Sequence, residues 1–198
     1  LGWIGTADAT AALAKAFGAE KDADQRQSLA GALLTAGQRL ARSGNSQAAI
    51  DVFDQLRNAD LPKVYRIGAT ENAILARGAD GVALMVEQLE SSDLDYFRTG
   101  LAVSRVLPGE LATKGLSEAL ETESSPQRQV LLIQALRDRG DKLGREVVLD
   151  KIKSDSLTVR LAAIDAIGAL GDGSSLPTLL SVAGGETADA VLAALSIL

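Results

Sequence analysis

The chain contains no histidine and no cysteine. These absences remove the commonest general base, the thiol nucleophiles and the usual zinc ligands, and with them any Ser-His-Asp or Cys-His arrangement within this sequence. They also remove disulfides, which leaves reducing and oxidising compartments equally open. Aromatic residues make up 3% of the chain against a hydrophobic fraction of 46%, so the core has to be built from Ala, Leu, Ile and Val. Proline occurs four times and 23% of residues are charged, a balance that fits an ordered helical protein. No apolar run approaches the ~20 residues that span a bilayer. The formal charge is −6, with Lys and Arg scattered among acids, which disfavours a nucleic-acid partner because phosphate binding draws on clustered cations.

What the sequence does contain is repetition. SLTVRLAAIDAIGALGD at 156–172 returns in phase as SPQRQVLLIQALRDRGD at 125–141 and again around DYFRTGLAVSRVLPGE at 95–110. A period of about 31 to 32 residues holding two helix-length apolar patterns predicts an all-α superhelix, a solenoid of about six helical hairpins. First helices align through Leu111, Leu116 and Leu120, then Leu143, Val148 and Ile152, then Leu176, Leu179 or Leu180, and Ala183. A third hairpin fits with Leu84, Met85 and Leu89. Second helices align through Val159, Ala163, Ile164 and Ile167 against Leu132, Ile133 and Leu136, and are apolar over a wider arc, as a helix between two neighbouring repeats must be.

Turn chemistry punctuates this frame. Gly140-Asp141 and Gly171-Asp172-Gly173 are expected to end one helix and open the next, as is Pro108-Gly109. Ser91-Ser92-Asp93, Ser124-Ser125-Pro126 and Ser154-Asp155-Ser156 place capping groups ahead of second helices.

The last full unit, with Val147, Val148 and Ile152, then Asp155, Val159-Arg160, Ala162-Ala163, Ile167-Gly168 and Gly171-Asp172, resembles a HEAT repeat of the short bacterial type. The fourth unit departs from it with Arg128-Gln129 and the third with Phe97-Arg98. The stretch at 32–56 is similar to a tetratricopeptide repeat through Leu33, Gly37, Leu40, Gly44, Ala49 and Phe53, with a helix over about 23–42. The expected organisation is one HEAT-like domain over 1–198: a remnant of a preceding repeat at 1–5, an elongated tetratricopeptide-like region at 6–58, and HEAT-like hairpins at 59–198. Leu1-Gly2-Trp3-Ile4-Gly5 aligns with the end of a second helix and Trp3 is expected to cover it, so the chain reads as a piece of a longer array.

The resemblance implies an inter-repeat ladder formed by Arg66, Arg98 and Arg160 with Asp60, Asp93 and Asp155, and a lower melting temperature on Arg98→Ala. Glu87, Glu90, Glu118, Glu121 and Glu123 read as a solvated convex face, and Gly100, Gly115 and Gly168 as sites of close helix packing. Helical phase makes Glu71, Arg105, Gln134, Arg137 and Asp165 candidates for contacts on a concave surface lined by second helices. No catalytic residue, cofactor or metal site is expected, and the chain reads as soluble, with no targeting segment. The functional expectation is a noncatalytic scaffold that binds a protein or peptide, with end-to-end self-association through uncapped termini. Alternatives are an accessory or regulatory domain of a larger enzyme, or a solenoid enzyme resembling the phycobilin lyases or the alkylpurine DNA glycosylases. The iron-dependent hydroxylases built on HEAT repeats need His-Glu motifs that this sequence lacks.

Overall fold

The computed structural model describes residues 6–198, so the expectations for residues 1–5, including the covering role of Trp3, fall outside the described residues. Twelve α-helices occur among the described residues. They fall into two compact units, one ending at Leu84 and the other running Met85–Leu198.

The first unit holds α1 (Ala7–Ala19), α2 (Ala23–Arg42), α3 (Ser46–Arg57) and α4 (Lys63–Arg77), each packed on its neighbour in sequence, with α2 also against α4. Asp22 caps α2 by accepting from the N–H groups of Asp24 and Gln25, which satisfies donors that a helix start leaves open. The long α2 presents Leu33, Ala36, Gly37 and Leu40 inward, a 3.6-residue stripe that is buried throughout. Gly37 is required by close approach: a Cβ there would lie 2.6 Å from Cε1 of Phe53, the fully buried ring of α3. Polar contacts join the same helices. Asp54 on α3 takes Arg57 Nε at 2.9 Å and Arg77 Nη2 of α4 at 2.5 Å, and Gln55 Nε2 donates to the Ala14 carbonyl of α1.

The second unit begins within α5 (Val82–Glu90) and continues through α6 (Leu94–Val106), α7 (Glu110–Thr122), α8 (Pro126–Arg139), α9 (Arg145–Lys151), α10 (Leu157–Leu170), α11 (Leu176–Ser181) and α12 (Ala188–Leu195). Short 3-10 turns precede α9, α11 and α12. Its odd-numbered helices are the first members of hairpins and its even-numbered helices the second. Second helices stack in turn, α6 on α8, α8 on α10 and α10 on α12, and each first helix from α7 onward packs on the second helix of its own hairpin. Leu116, Val148 and Leu179 are fully buried at one register, as are Leu132 and Ala163, Ile133 and Ile164, and Leu136 and Ile167 on the second helices.

Two details differ from the sequence reading. Gly140 closes α8 in the left-handed region at φ 67°, as a helix-ending glycine does, but Gly171 is extended at φ −75°, and a Cβ there would lie 2.6 Å from the Ile167 carbonyl oxygen. Proximity, not a left-handed turn, fixes that glycine. The aligned leucines Leu111, Leu143 and Leu176 are all partly exposed, and Leu176 stands two residues past the register of the other two, which Ser174 occupies, because Leu179 is the residue that enters the core beside Val148.

Candidate interaction surface

The turn between the two helices of a hairpin is built the same way four times. Glu20, Ser91, Glu123 and Ser154 each lie two residues before a second helix's capping residue, and each accepts that residue's backbone N–H on its own side-chain oxygen: Asp22 at 2.9 Å, Asp93 at 3.2 Å, Ser125 at 2.8 Å and Ser156 at 3.3 Å. The carbonyl of the same turn residue, left open where the first helix ends, takes a side-chain donor. Arg26 serves Glu20 at 3.2 Å, Gln129 serves Glu123 at 2.6 Å and Arg160 serves Ser154 at 2.9 Å, each from the fourth residue of its helix.

Here the expected arginine ladder is corrected. Arg160 reaches the carbonyls of Ser154 and Asp155 within its own hairpin, so it closes a turn and does not pair with the Asp155 carboxylate. Arg66 holds the corresponding place on α4, half-buried, with its Nε lacking a hydrogen-bond partner among the described residues. Arg98 stands one residue too far along α6 and is exposed; the fourth position belongs to buried Phe97, which has no donor. Arg128 of the following hairpin makes good the deficit. Its guanidinium lies 3.9 Å from the Phe97 ring centroid and donates to the carbonyls of Ser91 at 2.9 Å and Leu89 at 2.6 Å. Its Nε meets Glu123 at 2.6 Å, so Glu123 is a half-buried ion-pair partner and not part of a solvated face.

A ladder between hairpins does exist, and three of its four residues, Arg105, Arg137 and Asp165, are among those expected to meet a partner. Arg105 of α6 pairs with Asp138 of α8 at 2.7 Å, and Arg137 of α8 pairs with Asp165 of α10 at 3.3 Å. The two arginines occupy equivalent places on successive second helices. The third equivalent is Gly168, where a Cβ would lie 3.2 Å from the Ala194 Cα of α12. Close backbone approach replaces the ion pair there. Gln134 is exposed on α8, one turn before the rung residues Arg137 and Asp138, while Glu71 is exposed on α4 of the first unit.

A second series of contacts joins the turns between hairpins. Arg139, at the end of α8, donates to the carbonyls of Ser104, Leu107 at 2.8 Å and Gly109 at 3.0 Å, and to Thr113 Oγ1 at 3.1 Å. Burial lowers the Arg139 pKa, against the pull of Asp141. Asp141 accepts from Thr113 of α7 at 2.6 Å and caps the Leu143 N–H at 3.1 Å; these bonds, the first above all, hold its carboxyl below the usual range. Asp172 repeats the device one hairpin later: it caps Ser174 and pairs with Arg145 of α9, and its carboxyl is lowered by Ser174 first and Arg145 next. Among the described residues, no group of three or more acidic side chains is placed to hold a metal.

Helical pairs stacked in sequence order, with recurrent turns and hairpin-to-hairpin bonds at a fixed period, define an α-solenoid repeat protein. Residues 113–198 match the family model of HEAT repeats. No curated protein matches the sequence. No helix among the described residues is long and apolar enough to cross a membrane. Repeats of this family generally mediate protein–protein interaction.

The hairpin frame and the second-helix face were readable from periodicity. The turn clips were not, because their acceptors are backbone carbonyls and leave no residue-type signature. The one signal that could have found them is a donor side chain six residues after a Glu or Ser, as in Glu20–Arg26, Glu123–Gln129 and Ser154–Arg160.

Proposed function

We propose that the chain is a noncatalytic scaffold that binds a protein or peptide on the outward positions of its second helices, Gln134 and the rungs Arg105–Asp138 and Arg137–Asp165 among them. The observation that carries this reading is where the polar groups go. In the second unit six of the seven arginines hold a carboxylate or a backbone carbonyl of the same unit, and the two carboxyls whose pKa is shifted are lowered by structural hydrogen bonds, Asp141 first by Thr113 of the preceding hairpin and Asp172 first by Ser174 of its own turn. Such groups fix a surface in advance, which favours recognition by lowering the ordering cost of binding. They are not tuned towards neutral pH as a general acid or base would be. The test is capture from the parent cell with a photo-crosslinking amino acid at position 134. A discrete protein adduct supports the reading, and turnover of a substrate by the purified chain alone overturns it.

End-to-end self-association is a second reading, favoured by the exposed side chains of Leu180 on α11 and of Leu192 and Ile197 on and after α12. Sedimentation over a hundredfold range of concentration tests it. A single monomeric species throughout is the opposing result.

A further inference from the structure

In the first unit α2, α3 and α4 pack on one another, and a cleft of about 340 Å³ opens where they meet. The fully buried ring of Phe53 lines its base, seated where Gly37 lets α2 and α3 approach, and Leu75 of α4, 40% exposed, stands beside it. All three helices also send polar side chains to the cleft: Gln38 and Arg42, one turn apart on α2, Ser46 on α3 and Asn72 on α4.

Charge in this cleft runs against that of the whole chain, whose formal value is −6. Arg42 is the one charged side chain among the described residues that line it. It is also unused. Arg26, Arg57 and Arg77 of the same unit hold the Glu20 carbonyl or the Asp54 carboxylate, whereas Arg42, Gln38 and the Ser46 hydroxyl have no hydrogen-bond or ion-pair partner among the described residues. Asn72 is held in place by a bond from its Nδ2 to the Gly68 carbonyl at 2.7 Å, which leaves its Oδ1 to accept.

From this we infer that the cleft binds a short extended segment of a partner protein, one that carries an acidic and an aliphatic residue on the same face. The carboxylate pairs with Arg42, whose planar guanidinium suits it bidentately. The aliphatic side chain covers Phe53 and Leu75. Gln38 and the Asn72 Oδ1 satisfy the segment's own carbonyl and N–H groups, which lose water on entry. A single cation matches a single negative charge, whereas a phosphate group calls for a cluster of arginines. A helix, about 10–12 Å across with its side chains, is too wide for the cleft. A second copy of the chain fits poorly as well, because a stable dimer buries about 800 Å² per partner. The inference takes from the scaffold reading only that the ligand is a polypeptide.

The test follows amide and side-chain resonances of the isotope-labelled chain on addition of the capped peptide Ala-Leu-Ala-Asp-Ala, whose leucine and aspartate share one face when extended. Shifts should centre on Gln38, Arg42, Asn72 and Leu75. The same peptide with asparagine for aspartate should bind about fivefold more weakly or less. Arg42→Gln should erase that difference with an unchanged circular-dichroism spectrum, since Arg42 is exposed and unbonded. Leu75→Ala should weaken both peptides about threefold or more, and Gln134→Arg in the second unit should affect neither. Equal affinity of the aspartate and asparagine peptides, absence of binding, or shifts confined to the second unit would each overturn the cleft site. So would an equal response to sodium acetate, which marks a bare anion site, or the same shifts on concentrating the chain alone, which put a second copy there. Failure here leaves protein capture at position 134 untouched, and failure of that capture leaves this titration standing.

Discussion

Arg128 lies over the Phe97 ring, 3.9 Å from its centroid, and performs for the preceding hairpin what Arg26 and Arg160 perform for their own. Phe97 fills the fourth place of α6 with an apolar ring that the core uses fully. The Ser91 carbonyl would then lack a side-chain donor, and the donor comes from one repeat away. A local bond has become a bond between hairpins.

That exchange makes Arg128 more costly to lose than an ordinary surface arginine. Arg128→Ala removes two charge-assisted bonds to carbonyls, an ion pair with a half-buried Glu123 and a ring contact, and should destabilise the second unit by about 2–3 kcal/mol. A double-mutant cycle with Phe97→Leu should show a coupling of about 1 kcal/mol. Additive effects in denaturant unfolding would mean that the ring contact contributes nothing.

Arg98→Ala and Arg160→Ala separate the expected ladder from the observed clips. Arg98 is exposed and one residue out of register, so its removal should change stability by less than about 0.5 kcal/mol. Arg160→Ala opens the Ser154 carbonyl and should cost about 1 kcal/mol or more. Thermal unfolding of the two variants side by side checks the order, and a larger loss for Arg98→Ala would restore the ladder first expected there.

The side chains of the rungs Arg105–Asp138 and Arg137–Asp165 are 32–54% exposed, so each rung should contribute about 1 kcal/mol at most and weaken in salt. Arg139 is different: four acceptors on three elements converge on one guanidinium. Arg139→Ala should lower the melting temperature by roughly 10 °C, well beyond the effect of Arg137→Ala two residues earlier.

The carboxyls of Asp54, Asp141 and Asp172 all sit below their usual range. Burial opposes ionisation of Asp54, and hydrogen bonds from Arg77 and Arg57 outweigh it; Thr113 and Ser174 lead for the other two. A carboxyl depressed on folding contributes stability that is fully present above its unfolded pKa of about 4 and is lost as pH falls through the folded value. Melting temperature should therefore be flat from pH 7 to about 5 and decline below about 4. Asp141→Asn should reduce the slope of that decline; a slope unchanged by the substitution would dissociate the Thr113–Asp141 bond from acid sensitivity.

How far the sequence carried the account depends on the kind of bond. Pro126, Gly140 and the polar turns announced the hairpins because capping and left-handed geometry select residue types directly. Burial at Leu116, Val148 and Leu179 followed from periodicity, since a stripe must face the core. The arginine roles did not follow. A one-residue shift in α6 moved Arg98 to solvent and put Phe97 in its place, and spacing of about 31 to 32 residues cannot resolve a single residue. Arg105, Arg137 and Asp165 were found by helical phase as outward residues, but phase gives direction and not distance, so the rungs between them stayed hidden. Gly168 ends the series for a reason visible only in three dimensions, the approach of α12.

The most direct measurement of the central claim, that these helices form a preformed binding surface, is hydrogen exchange on the chain with and without the captured protein partner. The account predicts new protection on the outward positions of the second helices of the second unit, at α6, α8 and α10, with exchange of the buried core unchanged because the surface exists before binding. Global protection of the core only in the complex would show that the partner folds the array, and would contradict a scaffold whose arginines and aspartates already hold its hairpins in place.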